Sequence, residues 1–198
     1  MAKGAALVRD QVAEVGRELK TGGVTLAGIT ATLWAVEVVD LLLGHGLVRY
    51  GVEPRSMDGL LGIFAAPFLH SGIAHVTANT IGLWTLGPLS MSRNRVDFWR
   101  VVFLATVLGG LCAWLVGAPG STHIGFSGVV FGLLGFLMAR GFFERRPWPV
   151  ILSLAVAWFF GSMLLGVLPI GNAGISWQMH LGGFVGGIAA ASVGAKKR

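Results

Sequence analysis

Six apolar runs divide the chain, at residues 24–43, 73–90, 97–117, 125–140, 148–168 and 176–193. Most approach the roughly 20 residues that, wound as a helix, cross the ~30 Å hydrocarbon core of a bilayer. Lipid offers backbone N–H and C=O groups no partners, so each run is predicted to be an α-helix that satisfies them internally. Polar residues interrupt the pattern in specific places. The second run carries His75, Thr77, Asn79 and Thr80, which are expensive facing lipid. A shorter apolar piece, residues 60–69, lies inside the long connection 44–72; it is too short to cross and is expected to lie at the interface. The predicted fold class is all-α, a polytopic membrane bundle of six transmembrane helices.

Composition agrees with that reading and removes others. Hydrophobic residues make up 54% of the chain and charged residues 12%, about half the charged fraction of a soluble domain. The net charge of +6 does not argue for nucleic acid, because the basic residues sit in short connections between apolar runs. Of 15 Lys and Arg, 13 fall in residues 1–23, 91–100, 140–147 and 196–198, and only Arg49 and Arg55 fall on the other side. Basic loops stay in the cytoplasm, so both termini are expected inside and loops 44–72, 118–124 and 169–175 outside. Val8, Val12, Val15 and Leu19 form one helical stripe in residues 1–23; this segment reads equally as an amphipathic helix on the inner leaflet or as a basic leader that sets topology. The expected organisation is thus a cytoplasmic segment 1–23, a six-helix domain 24–193 and a basic tail 194–198. No cleavable leader is expected, since the first apolar run is long enough to span. The single Cys112 excludes a disulfide framework.

Ionisable groups inside spans are functional-site hypotheses. His75 and Asn79 lie four apart on one helix face. Ser127 sits in Gly125-Phe126-Ser127-Gly128 and His180 begins His180-Leu181-Gly182-Gly183. At about 1.5 Å per residue from the first inner charge, Ser127 lies roughly 20 Å up, Asn79 roughly 21 Å and His180 roughly 24 Å. The four groups come from three helices and share one layer, about 5–10 Å below the outer edge of the core. Gly128 and Gly132, Gly182 and Gly186, and Gly183 and Gly187 form small faces that allow close helix packing.

A serine hydroxyl becomes a nucleophile when a neighbouring base takes its proton, and imidazole titrates near neutral pH. No acid is evident beside His180, so the pattern fits a Ser–His dyad. Glu37 and Asp40 are the only carboxylates near the outer end of the first span, and neither can be placed at His180 from sequence. The start of the fourth helix offers the Ser127 N–H and a positive dipole end to an oxyanion, with His75 and Asn79 as side-chain donors.

Pro67-Phe68-Leu69-His70 followed by His75 and Asn79, then Gly125-Phe126-Ser127-Gly128 and His180-Leu181-Gly182-Gly183, resembles the rhomboid intramembrane serine proteases in their minimal six-helix bacterial form. The resemblance covers about residues 40–190. It implies Ser127 as nucleophile, His180 as general base, and His75, Asn79 and the Ser127 N–H as oxyanion hole. Gly125, Gly128, Phe131, Gly183 and His70 would support or pack the site, Phe131 as the aromatic against the base. It also implies single-pass transmembrane substrates cut near the outer face, with no cofactor and no metal. The glutamate common at the inner end of the second helix in this family is replaced here by Ser90-Met91-Ser92-Arg93. Two rivals are a catalytically inactive relative acting as a membrane chaperone or adaptor, and a metal- or proton-coupled transporter using His70, His75, His123 and His180. His70 is expected to bond loop backbone and His123 to be a solvated loop residue or to touch substrate. Tyr50, Arg55 and the tryptophans are expected to anchor at the interface or pack.

Overall fold

The structure, a computed structural model, describes residues 2–92, 94–170 and 174–196, with side chains described from Glu14 onward except that of Val15. Seven helices follow one another: α1 (Ala2–Leu42), α2 (Met57–Ala65), α3 (Ile73–Met91), α4 (Arg95–Val116), α5 (Ser127–Glu144), α6 (Pro147–Phe160) and α7 (Trp177–Lys196). All but α2 correspond to the six predicted spans. Among the described residues four stretches are each long and apolar enough to cross a bilayer: Gly16–Leu42, Arg95–Val116, Ser127–Glu144 and Pro147–Val167. A fifth arises if α2 and α3, bent by 73°, count together. Helix α7 misses that standard because five glycines, Gln178 and His180 dilute its hydropathy, and it is sheltered between α4 and α5.

Two expectations change, and a third segment gains a defined structure. The N-terminal segment is not a separate helix, since α1 runs unbroken from Ala2 into the first span; its stripe of Val8, Val12 and Val15 lies outside the described side chains. The fifth span is α-helical only to Phe160 and continues as a 3-10 helix over Gly161–Val167. Hydropathy does not distinguish these two windings, whereas Gly161 and Gly166 weaken the α form. The apolar piece at 60–69 is a helix, α2, capped by the Ser56 side chain on the Gly59 N–H and closed by a 3-10 turn, Ala66–Phe68, that opens with Ala66-Pro67.

α5 is the centre of the bundle, with every residue from Gly128 to Leu137 buried. Around it Leu83 and Leu86 of α3, Phe98 and Val101 of α4, and Ala190 and Ala191 of α7 form one apolar core. A smaller cluster of Val52, Ile63, Ala66, Ala113 and Met179 seats the long connection 44–72 on α4 and α7. That loop is also tied down by polar groups. Arg55 donates to the Leu115 and Gly117 carbonyls, and the Trp114 indole donates to the Ser56 carbonyl.

Helix α7 touches α4 and α5 through opposite glycine faces. A Cβ on Gly182 or Gly186 would collide with the α4 backbone at Leu108 or Ala105. On Gly183 or Gly187 it would collide with the carbonyls of Gly128 or Gly132 on α5. Backbone-to-backbone contact of this kind needs small residues on both partners. It is what brings residue 127 and residue 180 together, because each lies within one turn of the Gly128–Gly183 contact. At the C-terminal end of α5 Arg140 pairs with Glu144 at 2.7 Å and donates to Ser92 at 3.1 Å.

Candidate active site

Ser127 opens α5, where the first N–H groups of a helix lack intrahelical partners and the dipole is positive. The turn leading into it is held from two sides. Gly125 N–H donates to the Ala66 carbonyl at 2.8 Å, and Phe126 N–H donates to His70 Nε2 at 3.4 Å. Gly125 has φ +116°, and an added Cβ would stand 2.7 Å from His75 Nε2. Conformation and space both demand glycine there.

His180 Nε2 lies 2.8 Å from Ser127 Oγ, and its Nδ1 lies 2.9 Å from the Gly166 carbonyl. A carbonyl can only accept, so Nδ1 carries the proton. In the neutral ring Nε2 is then an acceptor facing the serine hydroxyl, which is the tautomer a general base needs. The Phe131 ring stacks on the imidazole, centroids 4.1 Å apart and planes 13° from parallel. Gly166 itself must be small, since a Cβ there would stand 2.8 Å from Phe131 Cζ. Sequence reasoning missed Gly166, whose contribution is a main-chain oxygen in the 3-10 stretch after α6.

His75 reaches the site from α3. Its Nδ1 accepts from the Ser71 N–H at 3.3 Å, with Ser71 Oγ at 3.2 Å. The neutral ring therefore holds its proton on Nε2, the atom beside Gly125. Asn79, one turn on, is buried, and its amide nitrogen has no hydrogen-bond partner among the described residues. A buried amide without an acceptor costs roughly 1–3 kcal/mol, and such groups are retained where an acceptor arrives in function. His70 sits edge-on to His75 with centroids 5.0 Å apart.

The remaining candidates fall elsewhere. Glu37 is fully buried on α1 and faces the Gly72 backbone, Asp40 and His45. Asp40 accepts from the Leu47 N–H at 2.6 Å. His123 is neither solvated nor free: it is buried, and both ring nitrogens meet serine hydroxyls, Ser176 at 2.7 Å and Ser121 at 3.0 Å. Among the described residues no three His, Cys, Asp or Glu side chains are grouped to hold a metal ion. A cavity of about 880 Å³ is lined by His75, Ser121, His123, Gly166, Ser176 and Gln178, among others. It opens among the connections that carry Ser71, His123 and Ser176.

The arrangement sets a hydroxyl against an imidazole nitrogen that can accept its proton, and gathers N–H donors at a helix start near that cavity. That is the equipment for acyl transfer to water. Comparison with known proteins agrees in kind. The family model described as "Rhomboid domain" matches residues 58–197. An uncharacterised protein of Mycobacterium tuberculosis is 41% identical over 177 residues, 86% of this chain and 74% of that one. Rhomboid protease GluP of Bacillus subtilis is 32% identical over 161 residues, 76% of this chain and 30% of its own length. Rhomboid protease GlpG of Serratia proteamaculans is 30% identical over 134 residues, 65% of this chain and 46% of its own. The chain is a multi-pass membrane protein with bacterial relatives, and it belongs to the rhomboid family.

Proposed function

We propose that this protein is an intramembrane serine endopeptidase that cleaves transmembrane segments near the outer face by a Ser127–His180 dyad. The observation that carries the reading is the 2.8 Å contact between His180 Nε2 and Ser127 Oγ, with Nδ1 committed to the Gly166 carbonyl. His180 takes the hydroxyl proton as Ser127 Oγ attacks the scissile carbonyl. The oxyanion meets the Ser127 N–H, His75 Nε2–H and the Asn79 amide. Imidazolium then gives its proton to the leaving amine, and the acyl-serine is hydrolysed by a water that His180 deprotonates in turn.

The distribution of Lys and Arg supports cytoplasmic termini and an outward site, with residues 24–193 as the protease unit preceded by a cytoplasmic segment and followed by a basic tail. Substrates are single-pass membrane proteins that reach the dyad from within the bilayer, while water enters from the outer cavity.

The test is cleavage of a generic transmembrane substrate in liposomes by wild type, Ser127→Ala and His180→Ala, alongside labelling with a fluorophosphonate probe. Wild type should cleave and label. Ser127→Ala should do neither, and His180→Ala should lose about 10²–10⁴-fold, the usual worth of a positioned base. Equal cleavage by all three sinks the mechanism, and a wild type that neither cleaves nor labels favours an inactive chaperone or adaptor.

A further inference from the structure

We infer that His123, through Ser176, is a positioning residue that holds the two halves of the dyad in register from the outer side; the inference rests on the protease reading above. The dyad joins residues 53 apart in sequence, and so does a second contact one layer above it. His123 precedes Ser127 by four residues and Ser176 precedes His180 by four. His123 Nδ1 and Ser176 Oγ are 2.7 Å apart.

Each end of this strut is built into the approach to one catalytic residue. On the α5 side the His123 backbone forms an antiparallel bridge with Val52, N–H to carbonyl in both directions at 2.9 Å. That bridge anchors the strand-like approach to Gly125 and Ser127 on the outer loop. On the α7 side Ser176 precedes the first helical residue. Its Oγ accepts from the Met179 N–H at 3.3 Å and its carbonyl accepts from the His180 N–H at 3.1 Å. Ser176 is therefore the N-cap of the helix that carries the base, satisfying one of its orphan donors.

Proton accounting gives the strut a direction. The Ser121 hydroxyl donates to the Ala118 carbonyl at 2.6 Å, so toward His123 Nε2 its oxygen can only accept. Nε2 therefore carries the ring proton, and in the neutral ring Nδ1 accepts from the Ser176 hydroxyl. Ser176 then uses its proton on His123 and a lone pair on Met179. Every hydroxyl hydrogen in the chain has one destination. The Gly117 backbone closes the packing, since a Cβ there would stand 2.5 Å from His123 Nε2. A side chain that merely filled this space would need neither two matched hydrogen bonds nor a defined tautomer.

The experiment compares His123→Ala, His123→Asn, His123→Gln, Ser176→Ala, Ser176→Thr and the double alanine variant in liposomes. It reads kcat and KM on the transmembrane substrate, the rate of fluorophosphonate labelling, and thermal stability. Small misplacements of reacting groups cost up to about a hundredfold. His123→Ala and Ser176→Ala should therefore each lower kcat and the labelling rate in parallel by about tenfold, with KM within about twofold. The double variant should be no worse than Ser176→Ala alone, because that change already removes the link to His123 together with the cap on Met179. His123→Asn should recover most of kcat, since its amide oxygen stands where Nδ1 stands and accepts from Ser176. His123→Gln, closer in size but reaching only toward Ser121, should not.

A His123→Ala variant with wild-type kcat, additive losses in the double variant, or Gln matching Asn each overturns the inference. A purely structural role would lower thermal stability alike for Asn and Gln and leave kcat of the folded protein unchanged. If His123→Ala does not fold, Ser176→Thr against Ser176→Ala reads the same link from α7: the hydroxyl retained by Thr should preserve activity that Ala loses, and equal activities overturn the inference. A wild type that neither cleaves nor labels refutes the protease reading and this inference together, whereas an active wild type with unaffected variants refutes this inference alone.

Discussion

Replacing Gly183 with alanine puts a methyl group into the contact between α7 and α5. The carbonyl carbon of Gly128 would lie 2.8 Å from the new Cβ, and the carbonyl oxygen closer still. Carbon atoms pack without repulsion at about 3.5–4.0 Å, so the helices must part by at least about 0.7 Å locally. Both colliding groups are backbone inside helices, so no side-chain rotation relieves the clash. Overpacking of this sort costs about 1–3 kcal/mol. The catalytic loss is of similar size. A 2.8 Å bond from His180 to Ser127 stretched by that amount reaches about 3.5 Å, where a hydrogen bond has all but gone. Activity should drop by about a hundredfold, the cost of a misplacement of this size. The assay is substrate cleavage in liposomes with fluorophosphonate labelling as a substrate-independent check, and thermal melting reports the stability term. Gly28→Ala is the control, because a Cβ at Gly28 meets nothing within 4 Å. Gly183→Ala activity within about threefold of wild type would refute the claim that this backbone contact sets the dyad distance.

Three further outcomes follow from the same structure. Gly166→Ala should reduce labelling by about tenfold, because its Cβ would press on Phe131 at 2.8 Å and lift the carbonyl away from His180; an unchanged rate contradicts the orienting role. Arg140→Ala should lower stability by about 3 kcal/mol, read as a fall in melting temperature, since the nearly fully buried Glu144 loses its guanidinium; a melting temperature within a degree or two of wild type would exclude that contribution. Burial holds His123 below the usual histidine range, so the unfolded chain takes up a proton from about pH 6.5 downward that the folded protein resists. The stability it contributes is therefore present above about pH 6.5 and lost as pH falls. The groups around it are Ser121, Ser176, His75 across the cavity and Arg55, which holds the Gly117 carbonyl. Melting temperature should fall more between pH 8 and pH 5.5 for wild type than for His123→Asn, and parallel falls would disprove the assignment.

The spans were legible because length and apolarity are the quantities a bilayer selects. Ser127, His180, His75 and Asn79 stood out for the complementary reason, that polar groups at that depth are costly. The expectation of one shared layer came from helical rise and the placement of Lys and Arg, and in the fold Ser127 and His180 touch. What sequence could not convey was anything carried by main chain or by tertiary burial. Gly166 acts through a carbonyl that every residue possesses. The change from α to 3-10 winding after Phe160 leaves hydropathy unaltered. His123 lies in a short outer loop, where composition suggests solvent, and its partner Ser176 is 53 residues away. The run of α1 through the basic leader was hidden because polar residues propagate a helix as well as apolar ones do.

The acceptor behind His180 is an uncharged backbone oxygen. Soluble serine hydrolases commonly assign that post to a carboxylate, which at bilayer depth would bring a desolvation cost of several kcal/mol. Here the polarity needed to fix the ring comes from a peptide group in the 3-10 stretch that follows α6, with no net charge introduced into lipid. The arrangement also changes how the catalyst can fail. No side-chain deletion removes the Gly166 oxygen, so evolution can silence the base by this route only through the path of the chain itself. On the proposed mechanism, an insertion or proline in 161–167, or a bulky residue at Gly166, would disable the dyad while Ser127 and His180 remain in place, leaving a protein that looks intact by its motifs and is inert.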